Sequence, residues 1–209
     1  MRCAVSRALL GLVFPLILVG TATFGAEERP PCIAALLVID VQNVWSHSED
    51  DTTVDGTHIL EKLPEVLELA RSTGVLVVYI KDVSQRETRS EEDLEFPDEI
   101  VPLEDEWIVE KTMQDGFAFT ELDERLKEAG VTRVLISGLV SQGCVNATLG
   151  GAKRRGYEVV VLADAHTDGI RGILSAEHNT RWAARGSTVV PTADLDWTTV
   201  CEPADPPDD

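Results

Sequence analysis

The chain has little positive charge. It holds 18 lysines and arginines against 37 aspartates and glutamates, which gives a formal net charge of −19 at pH 7. Such an excess of acid repels the phosphates of nucleic acids and of anionic membrane surfaces, so neither is expected as a partner. The charge is explained by solubility and does not indicate a substrate.

Long apolar runs are also scarce. The one clear example extends from Ala8 to Gly20, after a basic start and before several small residues. This order is typical of a secretory signal peptide, predicted here over residues 1–26, with cleavage after one of three small residues: Ala22, Gly25 or Ala26. An uncleaved membrane anchor is the alternative, although the run is short for a span of about 20 apolar residues. We therefore expect export to a periplasm or out of the cell, with no membrane contact after cleavage.

Two signatures of nucleotide sites are missing. No glycine-rich dinucleotide loop follows the first predicted strand, and no Walker-type phosphate loop occurs anywhere in the sequence. We therefore predict no nucleotide and no other cofactor.

What the sequence does contain is an alternation of short apolar runs and helical patterns. The predicted strands are 34–39, 75–80, 107–110, 134–137, 159–162 and 188–190. Continuous apolar strands separated by helices are typical of a mainly parallel, doubly wound sheet in a three-layer α/β/α sandwich. One domain is predicted over residues 27–193, followed by a loose acidic tail with prolines over 194–209.

Three reactive residues follow strands of this predicted sheet. Asp40 ends the first strand, Lys111 follows the strand at 107–110, and Cys144 lies after a tight turn, where it is predicted to open a helix. Because ligands bind at the carboxyl ends of parallel strands, we expect these side chains to converge. The thiol would be the nucleophile, Lys111 and the helix dipole would favour its thiolate, and Asp40 would carry protons.

The segments around these residues resemble a known family. Asp40 lies in LLVIDVQN, Lys111 in VEKTMQDGFAFTELDERL and Cys144 in ISGLVSQGCVNATLGGAKRRGYEV. They are similar to the isochorismatase-like cysteine hydrolases, which include nicotinamidase and N-carbamoylsarcosine amidase. The resemblance extends over about Ala34 to Val190.

The resemblance implies roles for particular residues. It implies an Asp–Lys–Cys triad at the three positions, a cis peptide bond at Leu139–Val140, and an oxyanion hole made by the backbone amides of Val140 and Cys144. It also implies a homo-oligomer. Nicotinamidases bind a metal through an aspartate and histidine cluster, but His47 and His58 lack the expected spacing, so no metal is predicted.

Cys144 favours one type of reaction, the hydrolysis of a small amide or ureido C–N bond through a thioester. The alternatives are an isochorismatase-like vinyl-ether hydrolase that uses Asp40 as its acid, and a secreted binding module without turnover. A small molecule is the expected partner, and the loop over Lys81–Glu106 is expected to set its identity.

The positions of three further side chains suggest contact with a substrate. Trp45 and Phe117 could flank a planar substrate, and each could equally be a core residue. His166 could line the pocket or cap the end of a strand, and His178 is expected to be structural.

The remaining cysteines suggest a disulfide. If Cys144 stays free to act, Cys32 and Cys201 are the pair compatible with catalysis, because Cys3 leaves with the leader. Such a bond requires the tail to run back beneath the sheet, because bridged Cα atoms must lie within about 7 Å.

Overall fold

A computed structural model of the chain describes residues 34–46, 57–167 and 175–202. The predicted signal peptide, Cys32 and His47 lie outside these residues. Within them, no helix combines the length and the apolar character that a membrane span requires.

The described strands form a single parallel sheet of six. They are Ala34–Ile39 (β1), Leu76–Asp82 (β2), Trp107–Lys111 (β3), Arg133–Leu139 (β4), Glu158–Thr167 (β5) and Thr188–Val190 (β6). Their order is β3-β2-β1-β4-β5-β6, so the chain starts in the centre and winds outwards in both directions. This confirms the predicted fold class.

The central strand shows why the apolar runs are continuous. Every residue of β1 is fully buried, and the strand pairs with β2 on one side and β4 on the other. Alternate side chains enter two different cores: Leu36 and Val38 belong to one, and Leu37 and Ile39 to the other. A strand covered on both faces has no position for a polar side chain.

Helices cover both faces. They are Asn43–Ser46 (α1), Thr57–Thr73 (α2), Glu91–Leu94 (α3), Leu122–Glu128 (α4), Asn146–Arg154 (α5) and Ser175–Ala184 (α6). The apolar residues of α2 join the first core, whereas those of α4, α5 and α6 join the second. This arrangement is consistent with three α/β/α layers.

The loop between β2 and β3 is ordered by short elements and by ion pairs of Glu95, Arg86 and Glu106 with Lys81, Glu110 and Arg71. It contains α3 and a 3₁₀ turn at Asp98–Ile100. At its end, Arg71 on α2 binds the nearly buried carboxylate of Glu106 at 2.8 Å. The loop is therefore held against the first core.

The prediction of a loose tail is wrong for the first part of the tail. Trp197 and Val200 are buried in the first core, and the Trp197 indole nitrogen donates to the Thr192 carbonyl at 3.1 Å. Arg133, the first residue of β4, donates to the Val200 carbonyl at 2.6 Å. The tail thus runs back along the amino ends of the strands, and residues 203–209 lie outside the described part.

Candidate active site

The structure confirms the predicted convergence of an acid, a base and a thiol. Asp40 follows β1 in a left-handed conformation with φ of 54°, and Lys111 ends β3. The Lys111 ammonium reaches across the end of β2 to the Asp40 carboxylate at 2.8 Å and to Cys144 Sγ at 3.5 Å. Three residues far apart in sequence therefore form one cluster, in which Asp40 and Lys111 are buried and Cys144 is partly buried.

Cys144 lies in a distorted turn over Ser141–Val145, which we call the nucleophile turn. Gly143 is non-helical there (φ −104°, ψ −110°), and α5 starts only at Asn146. Within the turn only Gly143 has non-helical dihedral angles, so Cys144 is the first helical residue after the kink and leads into α5, as predicted. The Leu139–Val140 peptide bond before the turn is cis, as the resemblance implied.

A glycine lets the nucleophile turn approach Asp40 closely. Gly138 adopts φ of +120°, and a Cβ atom at this position would collide with the backbone of Ile39. Only glycine combines this conformation with so close an approach. The last residues of β1 and β4 can therefore deliver Asp40 and Cys144 side by side.

Lys111 is the fixed positive charge of the cluster. It is only 2% exposed. Burial alone would lower the pKa of Lys111, but attraction to Asp40 and Cys144 outweighs burial and raises the pKa to about 12. The ammonium therefore keeps its proton throughout the physiological range.

Asp40 is a carboxylate with an unusually high proton affinity. Burial raises its pKa from 3.8 to about 6, against the opposing attraction of Lys111. Lys111 binds its Oδ2 atom, whereas the buried Oδ1 has no hydrogen-bond partner among the described residues. Asp40 is thus ionised at neutral pH and has an oxygen available for a proton.

The thiol of Cys144 is protonated in the resting site. Burial and the neighbouring charge of Asp40 raise its pKa from 9.0 to about 12, although Lys111 acts in the opposite direction. Lys111 favours the thiolate, as expected from the sequence, but this effect does not prevail. Cys144 therefore needs a base to remove its proton.

Sequence reasoning missed a second carboxylate, Asp82. It ends β2, and its Oδ2 atom lies 3.1 Å from the Lys111 ammonium. Burial raises the pKa of Asp82, but hydrogen bonds from Ser84 and attraction to Lys111 lower it overall. Lys111 is therefore shared between two carboxylates.

Gln42, in the motif DVQN, holds Asp82 in place. Its Oε1 atom accepts from the Asp82 N–H at 2.8 Å, and its Nε2 atom donates to the carbonyls of Asp82 at 3.0 Å and Leu94 at 2.8 Å. The side chain is fully buried. Gln42 therefore ties the end of β2 to the loop that follows it.

The three predicted substrate-binding side chains occupy different environments. Trp45 is partly buried and packs against the first core. Phe117 is 3% exposed, stacks on Tyr157 with ring centroids 5.7 Å apart, and is a core residue. His166 is 1% exposed and bonds to Ser141 and Asn179. Contact with a substrate remains a prediction for all three.

One group among the described residues has the composition of a metal site. The ligand atoms of Asp40, Asp82 and Cys144 lie within 4.8 Å of one another. The Lys111 ammonium, however, already lies within 3.5 Å of an atom of each, and a divalent cation would face it directly. The described residues therefore do not fit a metal ion, and His58, exposed on α2, is not a member of this group.

The chain is similar in sequence to a known hydrolase. A streptothricin hydrolase of Streptomyces noursei is 38% identical over 152 residues, which are 70% of this chain and 58% of that protein. The chain thus spans about three fifths of the length of that relative.

Solved structures share the fold. The N-carbamoylsarcosine amidase of Thermoplasma acidophilum superposes with a TM-score of 0.66 at 27% identity, over 78% of this chain and 98% of that one. The pyrazinamidase of Pyrococcus horikoshii, solved in complex with zinc, gives 0.65 at 28% identity, over 76% and 99%. The family model described as the isochorismatase domain matches residues 34–194. The chain belongs to the isochorismatase family.

Proposed function

We propose that the protein is a cysteine hydrolase that cleaves a C–N bond of a small amide or ureido compound through a thioester on Cys144. The observation that carries this proposal is the buried ammonium of Lys111, which contacts both Asp40 and Cys144. The names of the relatives, a streptothricin hydrolase and two amidases, support the same substrate class.

The first half of the reaction forms the thioester. Asp40 takes the proton of the Cys144 thiol as sulfur attacks the carbonyl carbon, because the thiol is not ionised at rest. The new negative charge on the carbonyl oxygen is stabilised by the backbone amides proposed as the oxyanion hole, those of Val140 and Cys144. The C–N bond then breaks, and Asp40 returns the proton to the leaving nitrogen.

The second half releases the acid. Asp40, ionised again, takes a proton from water, and the hydroxide that forms attacks the thioester carbon. The C–S bond breaks, and the Cys144 sulfur regains a proton from Asp40. Lys111 remains protonated throughout and stabilises the negative charge as it moves between Asp40 and sulfur.

Ammonia release from a panel of small amides and ureido compounds tests the proposal. Turnover of at least one compound is expected, and Cys144→Ala and Asp40→Asn should each reduce it about a thousandfold or more, because such residues act as a unit. Glu110→Gln removes a carboxylate one residue from Lys111, on an exposed side chain paired with Arg86, and should leave the rate unchanged. Turnover by Cys144→Ala at the wild-type rate would refute the mechanism.

A further inference from the structure

A chain of side-chain hydrogen bonds, buried at Ser141 and partly buried at Asn179, ends at the nucleophile turn and has no part in the proposed chemistry. Ser141 Oγ lies 2.7 Å from His166 Nδ1, and His166 Nε2 lies 2.8 Å from Asn179 Oδ1. The chain ends at the backbone, where Asn179 Nδ2 donates to the Ala163 carbonyl at 2.9 Å. It joins the turn to β5 and α6.

The last bond fixes the direction of the others. Because the Ala163 carbonyl can only accept, the NH₂ group of Asn179 faces it and the amide oxygen faces His166. His166 Nε2 therefore carries the proton, and in the neutral ring Nδ1 is an acceptor to which the Ser141 hydroxyl donates. With both ring nitrogens engaged, His166 has neither one left to exchange a proton with a substrate.

A second connection joins the same helix to the far side of Cys144. The Trp182 indole donates to Asn146 Oδ1 at 2.9 Å, and its ring packs edge-on against His166 with centroids 5.0 Å apart. Asn179 and Trp182 are three residues apart and so lie on one face of α6. Through His166, Asn179 is connected to Ser141, three residues before Cys144. Trp182 contacts Asn146, two residues after Cys144.

This support matters because the nucleophile turn is not part of a regular helix. Its local backbone bonds run from the N–H groups of Gly143 and Val145 to the Val140 carbonyl, at 2.9 and 3.3 Å. Cys144 must nevertheless stay in reach of Lys111, 3.5 Å away across the sheet edge. Displacement of a reacting group by about 1 Å can cost about a hundredfold in rate.

We propose that His166 and Asn179 are positioning residues that hold the Cys144 thiol against Asp40 and Lys111 through the Ser141 hydroxyl. The inference rests on the proposed function. It assigns His166 to the support of the turn in place of the substrate contact expected from the sequence. The loss expected on breaking the chain is in kcat, because the binding of substrate does not depend on these groups.

Three variants and one control test the proposal. Ser141→Ala and Asn179→Leu should each lower kcat about tenfold to a hundredfold while KM stays within about twofold. Asn179→Asp keeps an acceptor for His166 but loses the donor to the Ala163 carbonyl, so its kcat should lie between those of Asn179→Leu and the wild type. Thr180→Val, on the exposed side of α6, removes only a bond to the Ala176 carbonyl and should match the wild type.

A substrate-independent measurement accompanies the kinetics. In Ser141→Ala and Asn179→Leu, the pH profile of Cys144 alkylation by iodoacetamide should move away from that of the wild type, because the distances from the sulfur to the charges of Asp40 and Lys111 change. Melting temperatures and near-UV circular dichroism separate this change from loss of the fold. Wild-type kcat and an unmoved alkylation profile in folded Ser141→Ala would overturn the inference, whereas turnover by Cys144→Ala would overturn the proposed function itself.

Discussion

Acidification should switch off catalysis near pH 6. Asp40 can accept the thiol proton only when it is ionised, and its pKa is about 6. At pH 4 about one molecule in a hundred carries the carboxylate, so kcat/KM should be about a hundredfold below its value at pH 8. The profile should be nearly flat above about pH 7 and should fall about tenfold per pH unit below about pH 6.

Stability should change in the opposite direction over the same window. The pKa of Asp40 is raised from 3.8 in the unfolded chain to about 6, so the folded state binds the proton more tightly. Between about pH 4 and pH 6 the contribution of Asp40 to the free energy of unfolding therefore falls as the pH rises. A shift of about two units corresponds to about 3 kcal/mol. On acidification the activity would thus fall while the contribution of Asp40 to the free energy of unfolding rises.

The assay compares kcat/KM and thermal melts from pH 4 to pH 9. In Asp40→Asn the pH dependence of stability over pH 4–6 should be flatter than in the wild type. Asp82→Asn should move the acid limb to lower pH, because the charge of Asp82 raises the pKa of Asp40. An acid limb near pH 4, or one near pH 9 that follows ionisation of the thiol, would refute the assignment of Asp40 as the base.

Three further predictions concern Lys111, the effect of metal removal, and Gln42. Lys111→Met should raise the pH at which iodoacetamide alkylates Cys144, because Lys111 lowers the pKa of the thiol. Lys127→Met, a change at an exposed lysine, is the control. An unchanged alkylation profile in Lys111→Met would contradict this role of Lys111. Hydrolysis should survive EDTA and dialysis, and activity lost and then restored by zinc, iron or manganese would show a metal enzyme. Gln42→Leu should lower the free energy of unfolding by about 1–3 kcal/mol for each Asp82 backbone group left unpaired, which urea titration measures.

The sheet and the triad positions could be predicted because each leaves a mark in the sequence. Buried parallel strands require unbroken apolar runs, and AALLVI and VLVVYI have them. A polar side chain directly after such a run must lie at the carboxyl edge of the sheet. Asp40 was found in this way, and Lys111 was found as the residue that follows the predicted strand 107–110.

Asp82 was missed because strand pairing is a property of the backbone. The apolar run of β2 stops at Ile80, and the predicted strand stopped there too. In the structure the ladder continues for two residues, pairing Lys81 with Glu110 and Asp82 with Lys111. Hydropathy does not show that extension, since both pairs are polar.

The other departures have a tertiary cause. The sequence predicts a tight turn before Cys144, but the kink at Gly143 and the contacts of the turn with β5 and α6 are encoded in no local pattern. The tail was predicted to be loose from its acidic residues and prolines. Two apolar side chains, Trp197 and Val200, are enough to bury part of the tail. The mean hydropathy of the segment conceals these two residues.

The path of the tail bears on the predicted disulfide. Cys201 is disulfide-bonded, whereas Cys144 is free. Val200 is bound by Arg133, which pairs with Ala34 at the start of β1. Cys32 stands two positions before Ala34 in the sequence and lies outside the described residues.

We therefore predict a Cys32–Cys201 bond, formed in the oxidising compartment to which we propose the chain is exported. It would close a loop over most of the domain, and in the chain-entropy model such a loop contributes about 4–5 kcal/mol. Peptide mapping of the secreted protein without reductant should give one linked peptide pair, with Cys144 alkylated as the internal control. Reduction should lower the melting temperature. At temperatures below the new melting temperature, the reactivity of Cys144 should be unchanged. Alkylation of both Cys32 and Cys201 without reductant would exclude the bond and weaken the case for export.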